Sequence, residues 1–253
     1  MSNLDEKWQW VDEDPIARLL RPPERPARLA ADFRATGHAQ FQQRRYEDAA
    51  GSYSAAAAAE PDQTAVHFDL AVCLAKAEEW RAAANSFRRV LEDDPGHAEA
   101  LAGLGSCLLH LDAAEEALRC FERVPDGEAA LLGSAVALQK LARHEEAERI
   151  YRELLQTNPG SAEPLANLIA LSVARQDAAA VLEYSRRLLQ IQPQSKAALQ
   201  GLAMLAMRNG DRAAAVEYCT RLVEVDPDSF EGWSNLRYAQ QRMPPGEPNR
   251  SIA

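Results

Sequence analysis

Apolar residues along this chain fall on the fourth, seventh, eighth and eleventh places of a repeating unit, as with Leu199, Leu202, Ala203 and Ala206. That spacing is one face of an α-helix, not the alternation of a strand. A second helical stretch follows in each unit, and a proline closes it. Pro61, Pro95, Pro159, Pro193 and Pro227 stand 34 residues apart, except for one gap of 64 that is a full unit plus one shortened to 30. Just past a helix, the proline ring and missing N–H would break any continuation. Its neighbours in Asp94-Pro95-Gly96, Asn158-Pro159-Gly160-Ser161 and Asp226-Pro227-Asp228-Ser229 supply turn chemistry and helix caps. Each unit is therefore expected to be a helical hairpin, and no strand pattern is present.

With units starting at Ala30, Thr64, Ala98, Glu128, Ala162 and Lys196, the twentieth place reads Ala49, Ala83, Ala117, Ala147, Val181 and Ala215. The eighth reads Gly37, Ala71, Gly105, Ala135, Ile169 and Ala203, and the twenty-fourth Tyr53, Phe87, Phe121, Tyr151, Ser185 and Cys219. Two antiparallel helices approach closely only where side chains are small, and a bulky residue one turn away then fills the seam. In these columns the chain resembles the tetratricopeptide repeat family over about four-fifths of its length, a period of 34 being that family's mark. The resemblance implies an all-α, right-handed superhelical solenoid of six repeats (30–63, 64–97, 98–127, 128–161, 162–195 and 196–229). It also implies a C-terminal capping helix over 230–242 with Arg237 and Arg242 facing out, followed by a disordered tail, 243–253.

Two repeats depart from the pattern. Repeat five has Ile169 and Val181 where small residues are usual and Ser172 and Ser185 where large ones are, which reads as a swap that conserves volume. Repeat three meets Pro125-Asp126-Gly127 four residues early, so its second helix should lose about one turn. The superhelix should change pitch there, and we favour a deletion over a functional hinge as the reading.

Composition excludes several classes of function. A formal net charge of −10 gives no basic face for phosphates, which argues against nucleic acid. No apolar run has the length of a membrane span. The first six residues are acidic and lack the basic start and apolar stretch of a secretory leader, so a cytoplasmic location is expected. Cys73, Cys107, Cys120 and Cys219 form no paired or metal-binding spacing and read as buried free thiols. His38, His67, His97, His110 and His144 are scattered over the repeats, so no metal site and no cofactor is expected. Without a phosphate loop, a nucleophile elbow or an isolated carboxylate pair, the chain reads as a non-enzyme.

In a scaffold of this type function belongs to the concave groove lined by the first helices. Helical spacing places there Arg34, His38, Phe68, Val72, Gly103, Ser106, Leu109, Leu132, Val136, Asn167, Met204, Met207 and Asn235. The groove is expected to be apolar and to bind a peptide or helix of a partner protein. Gly103, Gly133 and Gly201 would leave room for a ligand backbone, and the methionines would adapt to its side chains. Family members that hold chaperone C-termini clamp the terminal carboxylate with Lys and Asn. The corresponding places carry Arg34, His38, Asp69, Glu99 and Gly103, so that clamp is not expected, while Asn167 and Asn235 remain partners for a ligand backbone.

An arm over residues 1–29 precedes the repeats, with Trp8 and Trp10 ahead of a short helix containing Ile16, Leu19 and Leu20. Capping of repeat one, occupation of the groove and recognition of another protein are all compatible with it. Two functional readings follow: an adaptor that captures a partner segment in its groove, or a self-associating scaffold or assembly factor whose groove is covered by the arm or by a neighbouring copy.

Overall fold

The computed structural model describes residues 24–241, and the Trp8–Leu20 segment and the tail lie outside them. The described residues form thirteen helices and no strand. They belong to two compact units, Met1–Ala113 and Ala114–Ala253. Unit 1 holds α1 (Glu24–Gln42), α2 (Tyr46–Ala59), α3 (Thr64–Lys76), α4 (Trp80–Asp93) and α5 (Ala98–His110). Unit 2 holds α6 (Ala114–Phe121), α7 (Glu128–Lys140), α8 (His144–Thr157), α9 (Ala162–Ala174), α10 (Ala178–Ile191), α11 (Lys196–Arg208), α12 (Arg212–Val225) and α13 (Phe230–Gln241). The fold is an all-α helical repeat of the solenoid class. Within each unit a helix packs on the next in sequence, and first helices of successive repeats also touch, α3 on α5 and α9 on α11.

The small and large columns form the seams. Ala49, Ala83, Ala117, Ala147 and Ala215 are fully buried, and Tyr53, Phe87, Phe121 and Tyr151 are nearly so. In repeat one a Cβ placed on Gly37 would meet the Tyr53 ring at 2.9 Å, so the glycine is what admits the aromatic. In repeat five Ile169 and Val181 are buried together with Ser172 and Ser185. The Ile169 Cγ2 and Val181 Cγ1 atoms reach the space in front of Gly201 that an aromatic at position 185 would otherwise fill. Bulk at this seam thus sits at positions 169 and 181 rather than at 185.

Capping is less uniform than the turn sequences suggest. Ser161 and Ser195 precede α9 and α11 without a side-chain cap, whereas His97 Nδ1 accepts from Ala100 N at 3.3 Å and Ser229 Oγ from Gly232 N at 3.0 Å. Asp177 and Asp211 cap α10 and α12 through the N–H groups of Ala180 and Ala214. Between the helices of each repeat one residue takes a left-handed conformation: Arg44, Glu78, Asp112, Ala142, Gln176 and Gly210, with φ between 58° and 73°. Only Gly210 suits that region without steric cost.

One boundary and one surface differ from expectation. α1 begins at Glu24 rather than at Ala30, so residues that the sequence assigned to the arm extend the first helix. α13 buries Gly232, Leu236 and Ala239 but exposes Phe230, Trp233 and Tyr238, so its outer surface is aromatic as well as polar.

Ser185 tests the repeat-five seam. Its hydroxyl is fully buried and lacks a hydrogen-bond partner, whereas Ser172 Oγ donates to the Leu168 carbonyl at 2.7 Å. A buried unsatisfied hydroxyl costs about 1–3 kcal/mol. Ser185→Ala is therefore expected to raise the midpoint of chemical unfolding, and Ser172→Ala to leave it unchanged or lower it.

Candidate functional site

The first-helix face of unit 1 is polar where it is open. Arg34 Nη1 donates to Gln63 Oε1 at 2.9 Å, and His38 and Ser106 are exposed. Asp69 lies between these groups: burial raises its carboxyl above the ordinary value, while Arg34 and then His38 oppose that shift. The same neighbourhood acts on Tyr53, whose phenol is pushed up to about 12, first by burial and then by Asp69. Val72 and Leu109 are half-buried.

Phe68 is half-buried, its ring stacking on His97 at a 5.0 Å centroid distance and meeting Phe87 edge-on at 6.0 Å, so contacts within its own unit hold it in place. The expectation for Gly103 needs correction. A Cβ there would stand 2.4 Å from the Phe87 ring, so the absent side chain is replaced by an aromatic of the preceding helix, not by a ligand backbone. Gly133 receives Phe121 in the same way, and Gly201 is closed by Ile169, Ser185 and Val181. A glycine that admits a ligand and one that admits a neighbouring ring look alike in sequence. An aromatic 16 places before Gly103 and 12 places before Gly133 is the signal that separates them.

The first-helix face of unit 2 is more apolar. Leu132, Val136, Asn167, Met207 and Asn235 are half-buried, and Met204 is 49% exposed. Beside Met204 is a small cleft of about 30 Å³, lined by Val173, Val181, Gly201, Leu205 and Arg208. It is large enough for a methyl group, not for a ring. A larger cavity, of about 300 Å³, lies on the second-helix side of the same unit between α6, α7 and α8. The sequence indicated the missing turn of α6 but not this opening. The buried thiols offer no chemistry: burial pushes Cys73 up to about 12 and Cys107 up to about 11, so both are protonated at neutral pH. Among the described residues no His, Cys, Asp and Glu cluster could hold a metal ion, and no helix is long and apolar enough to cross a membrane.

Models of the tetratricopeptide repeat match residues 34–80, 74–129, 129–161 and 172–237. The chain belongs to the tetratricopeptide repeat family. A search of curated proteins found no match to the sequence. Among solved structures, PilW, a widely conserved type IV pilus biogenesis factor, superposes with a TM-score of 0.72 at 19% identity over 82% of this chain and 98% of its own. The pilF protein of Pseudomonas aeruginosa gives 0.67 at 19% identity over 83% and 97%. YrrB, a tetratricopeptide protein with an unusual peptide-binding site, gives 0.55 at 16% identity over 73% and 97%. At these identities the similarity concerns the fold.

The packing role of the glycines in this tetratricopeptide array gives an ordered prediction. Replacing a helical glycine by alanine gains about 1 kcal/mol of propensity, while overpacking costs about 1–3 kcal/mol. Phe87 is buried and flanked by Phe68, so Gly103→Ala is expected to be destabilising. Phe121 borders the 300 Å³ cavity and can yield, so Gly133→Ala should cost less. Gly51, with open space around a built Cβ, should gain stability as alanine. Urea midpoints in the order Gly51→Ala, Gly133→Ala, Gly103→Ala, highest first, would bear this out.

Proposed function

We propose that the protein is a non-catalytic adaptor that binds a peptide or helix of a partner protein on its first-helix faces, with the apolar anchors in unit 2. The observation that carries this reading is Met204, half exposed beside a cleft whose walls are Val173, Val181 and Leu205. A flexible thioether next to a small apolar recess suits varied aliphatic side chains. Leu132, Val136 and Met207 extend the apolar surface, and Asn167 and Asn235, at the sixth place of their repeats, supply amide groups for a ligand backbone. In unit 1 the first-helix face carries Arg34, His38 and Ser106 together with the half-buried Val72 and Leu109. One structural neighbour is described as having an unusual peptide-binding site, which is consistent with this use of the fold. The proposal retains a cytoplasmic location.

Affinity purification with the full chain as bait, followed by mass spectrometry, would supply the partner, and three variants then test the face. Met204→Asp, and Leu132→Asp with Val136→Asp, are expected to reduce capture at least about tenfold, because binding through an apolar stripe concentrates in a few anchors. Arg186→Glu, on an exposed part of a second helix, should change it little. Helicity by circular dichroism separates lost capture from lost folding. Capture that survives both first-helix changes but fails in Arg186→Glu would overturn the proposal.

A further inference from the structure

The short repeat three leaves a feature that the adaptor reading does not use. α6 has 8 residues, whereas α8, α10 and α12, which hold the same place in their repeats, each have 14. In those three helices the twenty-seventh place is Leu154, Leu188 or Leu222, all buried. In repeat three it is Val124, which lies beyond the helix end and is half exposed. The loss also uncovers α7: Leu131 is half exposed, whereas Leu165 and Leu199 at the same place are fully buried. The result is the 300 Å³ cavity, with Leu118, Val124, Leu131, Leu138 and Ile150 among its apolar walls. That volume is at the small end of ligand pockets and suits one large side chain rather than an extended peptide.

Its rim is charged. Arg143 Nε and Nη2 donate to the two Glu146 oxygens at 2.7 and 2.8 Å, and Glu122 also acts on Arg143 through space. Glu146 is thus paired with Arg143, while Arg149 is exposed and acts on Glu146 through space. The cavity therefore combines an apolar floor with a cation available to an acidic ligand.

A complementary projection lies at the other end of the same unit. Phe230 opens α13 and is 87% exposed, more than any other large hydrophobic side chain described. The first place of the other repeats is Ala30, Thr64, Ala98, Glu128, Ala162 or Lys196, so the aromatic is peculiar to this one. It is flanked by the exposed carboxylates of Asp228 and Glu231. We propose that Phe230 of one copy inserts into the cavity beneath α6 of a second copy, with Asp228 and Glu231 facing Arg149. Such a contact joins two different surfaces, so it either propagates from copy to copy as a chain or ring or closes on itself when two copies insert reciprocally. One aromatic and a few charges bury little area, which makes each contact weak and concentration-dependent. The contact uses none of Leu132, Val136 and Met204.

Sedimentation of the full chain from about 5 to about 500 µM, a range that covers weak association, provides the test. The mass of the native protein is expected to rise with concentration above that of the monomer. Phe230→Ala and Arg149→Glu should each weaken association at least about tenfold, and both side chains are exposed enough for folding to persist. Combining Arg149→Glu with Asp228→Arg and Glu231→Arg should restore it, and Met204→Asp should not affect it. A chain that stays monomeric throughout, association that ignores Phe230→Ala or Arg149→Glu, no rescue by charge reversal, or association that depends on Met204 would each overturn the proposal. Only the last of these bears on the first-helix face.

Discussion

The structure depends on one packing constraint, close approach of helices at the seams, which repeats one to three meet by setting a ring from the second helix against a neighbour without a side chain. Tyr53 rests on Gly37, Phe87 on Gly103 and Phe121 on Gly133. The buried alanines at the twentieth place bring helices close enough for those rings to span the gap. Dispersion and the removal of apolar surface then act together, because a ring that fills a slot gains contacts on all sides. Repeat five meets the same constraint with different residues, Ile169 and Val181 closing the space in front of Gly201 while Ser185 yields it.

This explains what could be read from the sequence. The period, the helical hairpins and the buried columns were legible because size is written directly into residue type, and a seam tolerates few sizes. The left-handed residue in each hairpin turn was not. Arg44, Glu78, Asp112, Ala142 and Gln176 carry no glycine signal, since the flanking helices hold the backbone against its local preference. The extension of α1 to Glu24 was hidden by Pro22-Pro23 and by the assumption that every repeat begins at the same place.

The candidate site was legible only in part. Helical spacing predicts first-helix faces with Val72 and Leu109 in unit 1 and Leu132, Val136 and Met204 in unit 2, but it does not tell which side chains are already in use. Phe68 is held by His97 and Phe87, a matter of ring geometry that sequence spacing does not contain. The cavity beneath α6 arose from the opposite cause. A deletion is visible in the sequence, whereas the space it leaves depends on whether the surrounding helices collapse, and Leu131 and Val124 show that here they do not.

The exchange in repeat five also bears on how such an array changes over generations. Because Gly201 is matched to Ile169 and Val181 rather than to an aromatic, repeats five and six fit each other and do not present the standard junction. Duplicating or transposing repeat five alone would set its small Ser185 against a neighbour shaped for a ring, leaving a void at one boundary. The order of modules is therefore constrained by pairwise complementarity, and lineages that lengthen the array are freer to copy repeats whose junctions still use a ring and a glycine.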